Sequence, residues 1–114
     1  MITIYHNPRC SKSREGLNLL KDSGQDFEIR DNTKDPLSEK EIRALLKSLK
    51  MVPMELIRTD EKVWKENYKG KDLNDDELVR IMTQHPSLIQ RPIVVKDEKA
   101  VVGRPSENIS DLLK

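Results

Sequence analysis

Only one cysteine, Cys10, occurs in the chain, so no disulfide can close within it. A lone thiol fits a reducing compartment, and the cytoplasm is the expected location. No apolar run approaches the ~18 residues that a membrane span needs, so no membrane partner is expected. The opening MITIYHNPRC lacks the long apolar segment of a secretory signal. Neither charge sign is in excess. Net charge is +1, with 10 basic and 9 acidic residues in 1–57 and 11 of each in 58–114. Without a basic half there is no sign of a nucleic-acid binder. One cysteine and the distant His6 and His85 match no zinc spacing, so no metal is expected. Internal repeats, low-complexity tracts and linkers are also missing, and residues 1–114 read as one domain.

What is present is a modest core under a densely charged surface. Ile, Leu, Val and Phe make up about a quarter of the chain, above the ~20% below which a charged sequence is read as disordered. Charged residues are 36%, against ~25% typically. With so small a chain, that surface suits a monomer.

Residues 1–5 alternate apolar and polar side chains, which predicts a strand. Asn7-Pro8 breaks the pattern. A helix follows from Ser11, with Leu17, Leu20 and Leu19 on its apolar side and Ser23-Gly24 at its end. Residues 27–30 predict a second short strand. Ser38 with Glu41, and Asn74 with Glu77, have the spacing of helix starts capped from both sides. The first predicts a helix with Ile42, Leu45, Leu46 and Leu49 inward, the second one with Leu78, Ile81 and Met82 inward. Between them, 53–68 reads as irregular helix. Residues 93–95 and 100–102 form a hairpin pattern, and 105–113 a closing helix. The order β-α-β, helical block, β-β-α is thioredoxin-like. It predicts an α/β fold with a mixed four-stranded sheet and a helical insertion between the two halves.

Cys10 stands where the first strand gives way to the first helix. Unpaired backbone N–H groups and the helix dipole favour an anion there, which lowers a thiol pKa and supplies the nucleophilic thiolate. Arg9, Lys12 and Arg14 surround it, with no acid in residues 1–14, and Ser11 and Ser13 carry hydroxyl donors. A lone cysteine more often fills a core position as a small hydrophobe, but the cationic setting points to reactivity. His6, four residues earlier, either orients the loop or pairs with the thiolate. Arg91-Pro92 enters the hairpin and Arg104-Pro105 leaves it. Antiparallel strands bring those ends together, so two guanidiniums can grip one oxyanion.

The loop His6-Asn7-Pro8-Arg9-Cys10-Ser11-Lys12-Ser13-Arg14 resembles the active-site loop of the glutathione/glutaredoxin-coupled arsenate reductase family. Gln84-His85-Pro86, Arg91-Pro92-Ile93-Val94-Val95 and Gly103-Arg104-Pro105-Ser106-Glu107 are similar to it as well, in order and with similar spacing. The resemblance is closest to short housekeeping members. It implies a thioredoxin-like fold, Cys10 as nucleophile, Ser13 as an aid to ionisation, His6 as a supporting group, and Arg91 and Arg104 as oxyanion ligands. A third arginine of that set falls on Arg58, and the proline matching Pro92 is cis. The implied reaction is reduction of arsenate to arsenite, with glutathione as co-substrate, glutaredoxin as reductant partner and no bound cofactor. Two other readings share the fold. One is a glutathione-dependent thiol reductase with another substrate. The other is a regulator of the Spx kind that binds RNA polymerase, although Ser13 stands where such proteins often carry a second cysteine.

Overall fold

The alternation at the chain start produces β1 (Ile2–His6), with Ile2, Ile4 and His6 buried and Thr3 and Tyr5 half-buried. Successive strand side chains point to opposite faces, so the three buried residues share one face. The loop then turns into α1 (Ser11–Ser23), which ends at Gly24 with φ 74°, a left-handed conformation that glycine takes without a Cβ penalty. β2 (Phe27–Asp31) lies parallel to β1, with Ile29 beside Ile4. β3 (Ile93–Lys96) runs antiparallel along the other side of β1, with Val94 opposite Ile4. β4 (Lys99–Val102) completes the hairpin. Its two-residue turn puts Asp97 at φ 57°, the sign such tight hairpin turns require. The strand order is β2-β1-β3-β4.

The computed structural model describes residues 1–114, which fall into a sheet unit (1–35 with 91–114) and a helical unit (36–90). In the sheet unit, α1 and the last helix meet over Ile2, Ile4, Leu20, Val94 and Ile109. Truncating one such aliphatic side chain to alanine costs about 2–5 kcal/mol. The mixed four-stranded sheet and the helical segment between its halves are the α/β fold expected from the sequence.

In the helical unit, α2 (Glu39–Leu49) and the longest helix after it each start on a reciprocal cap. Ser38 Oγ accepts the Glu41 N–H at 3.2 Å, and the Glu41 carboxylate accepts the Ser38 N–H at 3.1 Å. α3 (Pro53–Leu56) and α4 (Lys62–Asn67) resolve the irregular 53–68 stretch into two short helices. They part at Ile57, which pairs with Ile89 in an isolated antiparallel bridge. α5 (Asp75–Gln84) is capped by Asn74 and Glu77 in the same reciprocal way. Ile42, Leu45 and Leu46 of α2 and Leu78, Val79, Ile81 and Met82 of α5 are buried, and the two helices pack together. Leu49, placed inward by the spacing, is only half-buried. A 3-10 turn, Pro86–Leu88, follows.

The closing helix, α6 (Glu107–Leu113), begins two residues later than the pattern suggested. Pro105 and Ser106 form a turn instead, their carbonyls accepting the N–H groups of Asn108 and Ile109. No helix is long and apolar enough to cross a membrane.

Candidate active site

The loop before α1 is held by its own short-range bonds. The Cys10 N–H donates to the Asn7 carbonyl at 3.0 Å. The Arg9 N–H donates to Asn7 Oδ1 at 3.0 Å, and the Asn7 N–H to Ser13 Oγ at 3.3 Å. Arg14 Nη1 reaches back to the Pro8 carbonyl at 3.0 Å. Cys10 itself is the N-cap residue, extended and half-buried, and no side chain caps the helix. The first turn also lacks an acidic residue.

The free N–H groups of that turn serve the sulfur. Burial works against ionisation of Cys10. The backbone N–H of Ser13, the Arg91 guanidinium and the backbone N–H of Lys12 more than offset it, and the thiol pKa is lowered to about 7. Near neutral pH a large fraction is therefore thiolate, against a few per cent for a free thiol at ~8.5. Arg104 adds a second guanidinium, with Nη2 3.5 Å from Sγ. Ser13 is fully buried. It meets the thiol through its backbone amide, while its hydroxyl accepts from Asn7.

The two arginines reach the sulfur from the hairpin ends. Arg104 Nε donates to the Arg91 carbonyl at 2.6 Å, and the Gly103 N–H to the Pro92 carbonyl at 2.8 Å. Both Arg91-Pro92 and Arg104-Pro105 peptides are cis. Behind them the packing is very close. A Cβ on Gly103 would lie 2.7 Å from Ile109 Cδ1 and 2.9 Å from Pro92 Cγ, and one on Gly16 would meet the same two side chains at 2.9 and 2.8 Å. Only glycine at both positions lets α1, the Arg91-Pro92 segment and α6 approach this closely.

His6 ends β1, 5% exposed, paired in register with Asp31. Burial lowers its pKa, Asp31 working in the opposite direction, and the balance favours the neutral imidazole. Arg58 belongs to the helical unit, between α3 and α4. Its N–H donates to the Leu88 carbonyl at 2.7 Å, and Nη1 lies 2.6 Å from Glu61 Oε1. His85 accepts or shares a bond with the Tyr68 hydroxyl, Oη to Nε2 3.2 Å. The sheet unit thus gathers Cys10, Ser13, Arg91 and Arg104, while the sulfur's donors include two backbone amides that no residue pattern names. Gly16, Gly103 and Asn108 are further parts of this construction, and the sequence reading passed over Gly16 and Asn108. Only Gly103, directly before an Arg-Pro pair at a strand exit, carried a signal. A cavity of about 530 Å³ lies elsewhere, over β2, lined by Thr3, Tyr5, Arg30 and Asp35 among others. The chemistry follows the thiol, not that hollow.

A half-buried thiolate at an uncapped helix start, faced by arginines from the strand ends, defines a thiol-chemistry site on a thioredoxin-like sheet. The chain belongs to the ArsC family, whose profile matches residues 5–112. It is 43% identical to the uncharacterized protein YfgD of Escherichia coli, over 98% of this chain and 96% of that one. It is 38% identical to an arsenate reductase of Neisseria meningitidis, over 98% of this chain and 97% of the relative. Among solved structures, the arsenate reductase from Vibrio cholerae superposes with a TM-score of 0.92 at 38% identity, covering 96% and 95% of the two chains.

Proposed function

We propose that this protein reduces arsenate, or a closely similar oxyanion, through Cys10. The Cys10 thiolate attacks arsenic(V), and an arsenate oxygen leaves with protons as water, giving a thiol–arsenate adduct. Arg91 and Arg104 hold the oxyanion and neutralise charge that develops on it. Arg58 is assigned as the third cation by its likeness to the family's set. An external thiol, glutathione, then attacks the Cys10 sulfur. The S–S bond forms as the S–As bond breaks, and its electron pair stays on arsenic, which leaves as arsenite. Two thiols are oxidised to one mixed disulfide while arsenic gains two electrons. Glutaredoxin restores Cys10 by thiol exchange. This cycle needs a reducing compartment, which is why we assign the protein to the cytoplasm.

The observation that carries the reading is the Cys10 sulfur itself, with its pKa lowered to about 7 and Arg104 Nη2 at 3.5 Å. Because Cys10 is the only cysteine, the second thiol has to come from another molecule. The test is arsenate reduction with glutathione and glutaredoxin, run beside a thioredoxin system. Turnover with glutathione and glutaredoxin, together with a glutathione adduct on Cys10 by intact mass, supports the assignment. Turnover with thioredoxin alone and no adduct refutes the glutathione coupling. No turnover with either, combined with binding to RNA polymerase, replaces the enzyme by a regulator.

A further inference from the structure

The turn that carries Arg104 sits between β4 and α6, outside both, so its carbonyls need donors from elsewhere. One side chain bonds both the last carbonyl of β4 and the Arg104 carbonyl within the turn. Asn108 Nδ2 donates to the Val102 carbonyl at 3.0 Å and to the Arg104 carbonyl at 3.4 Å. These carbonyls flank Gly103. The Asn108 backbone N–H also donates to the Pro105 carbonyl at 3.1 Å. The turn is thereby tied to the first turn of α6, which is anchored in the core by Ile109. From that fixed backbone, Arg104 Nε reaches the Arg91 carbonyl at 2.6 Å and Nη2 the Cys10 sulfur at 3.5 Å.

We infer that Asn108 is a positioning residue for the oxyanion site, acting through Arg104. Its side-chain bonds run to backbone carbonyls, not to the sulfur. A side-chain amide is suited to this task because it presents two N–H donors from one nitrogen. An aspartate of the same shape would set carboxylate oxygens against two carbonyls. An alanine would leave both carbonyls without this donor, and the Arg104 carbonyl would lose its side-chain tie to α6, while the backbone bond to the Pro105 carbonyl stays. The consequence falls on oxyanion affinity, because a guanidinium that has lost its aim binds an anion less tightly whatever the state of the thiol.

This inference rests on the reading of Arg104 as an oxyanion ligand, and the test separates the two. The probe is arsenate protection of Cys10 against alkylation by iodoacetamide, which reports anion binding without turnover. Five proteins are compared: wild type, Asn108→Ala, Arg104→Ala, the double variant, and Asn108→Asp as a shape-preserving control. Asn108→Ala is expected to weaken protection by about tenfold, the size of one to two lost hydrogen bonds. Asn108→Asp is expected to weaken it at least as much. Because Asn108 acts only through Arg104, the double variant should bind no worse than Arg104→Ala alone, a non-additivity that contacting pairs show and independent sites do not. A thermal melt of each variant accompanies the assay. If Asn108→Ala lowers the melting temperature but leaves arsenate protection unchanged, Asn108 is merely structural and the inference is overturned. Full additivity in the double variant overturns it as well. If Arg104→Ala itself leaves protection unchanged, the oxyanion reading of Arg104 fails and takes this inference with it.

Discussion

Two kinds of helix start coexist in this chain. α2 and α5 begin on Ser38 and Asn74, each bonded reciprocally to the residue three positions on, with Glu39 and Glu41 or Asp75, Asp76 and Glu77 in the first turn. Their free N–H groups and positive dipole ends are satisfied within the helix, as stability alone would favour. α1 begins on Cys10, with no side-chain cap and no acid in its first turn. Its N–H groups are left to the sulfur, and cations rather than carboxylates surround it. The difference teaches what sets α1 apart from these two supporting helices. A missing cap alone does not, since α4 also starts without one, but a missing cap beside a thiol and two guanidiniums does. Where the first turn is fully capped, the sequence has resolved the helix end for stability. At α1 the unspent donors and dipole are available to the Cys10 thiolate.

The comparison breaks most completely at Cys10. Cys10→Ser places a good capping hydroxyl where the thiol was, which gives α1 the side-chain cap it lacks. Arsenate reduction should fall to nothing, because a serine hydroxyl stays protonated near neutral pH, while stability holds or rises by up to about 1 kcal/mol. Loss of turnover without loss of melting temperature is the expected pair of readings.

Arg91→Ala removes a cation bonded to the sulfur. The thiol pKa should climb by roughly one unit, seen as an upward shift in the pH dependence of Cys10 alkylation. Ser38→Ala and Asn74→Ala act on the other side of the comparison. Each should lower stability by about 1 kcal/mol in denaturant titrations and leave the alkylation profile of Cys10 where it was. A shift in that profile would show that the two kinds of helix start are not independent.

Stability itself should carry the mark of the thiolate. A thiol whose pKa is about 7 when folded, and ~8.5 unfolded, stabilises the fold in its ionised form. Relative to Cys10→Ala, the wild type should therefore have this contribution in full above the unfolded pKa and lose it as pH falls through the folded one. Unfolding curves of both proteins between those limits, compared at matched salt, check the sign. The smallest effect is expected at Ser13. Ser13→Ala deletes the acceptor of the Asn7 N–H but keeps the backbone amide that serves the sulfur. Cys10 reactivity should change by no more than a few-fold, with a stability loss of about 1 kcal/mol.

Much of this architecture was legible in the residues. The capped starts at Ser38 and Asn74 were visible because capping is local, set by two side chains three apart. The hairpin was visible because β-branched runs flank a short charged turn. Cys10 and the two Arg-Pro pairs stood out as residue types whose chemistry does not depend on knowing the fold. Other features needed the tertiary structure. Gly16 and Gly103 look like ordinary helix and loop glycines until Pro92 and Ile109 are seen to press on both. Asn108 reads as a surface residue of a short helix, and its two backbone partners appear only once the Gly103 turn is built. The break between α3 and α4 comes from Ile57 pairing with Ile89, a contact across more than thirty residues that no periodicity reports. The start of α6 was read two residues early, at Pro105 rather than Glu107, because the apolar spacing of Ile109, Leu112 and Leu113 marks the helix but not its first residue. A turn through Pro105 and Ser106 occupies that place instead, its carbonyls taken by Asn108 and Ile109.

The central claim is that an uncapped helix start and the hairpin arginines together lower the Cys10 pKa, so that a large fraction is thiolate at neutral pH. Its most direct test is the ultraviolet titration of the thiolate in the intact protein, with Cys10→Ser as the blank. With one cysteine in the chain the signal has one source. The account predicts a midpoint near the value of about 7 set by the backbone amides and Arg91. A midpoint at or above the free-thiol value of ~8.5 would contradict it.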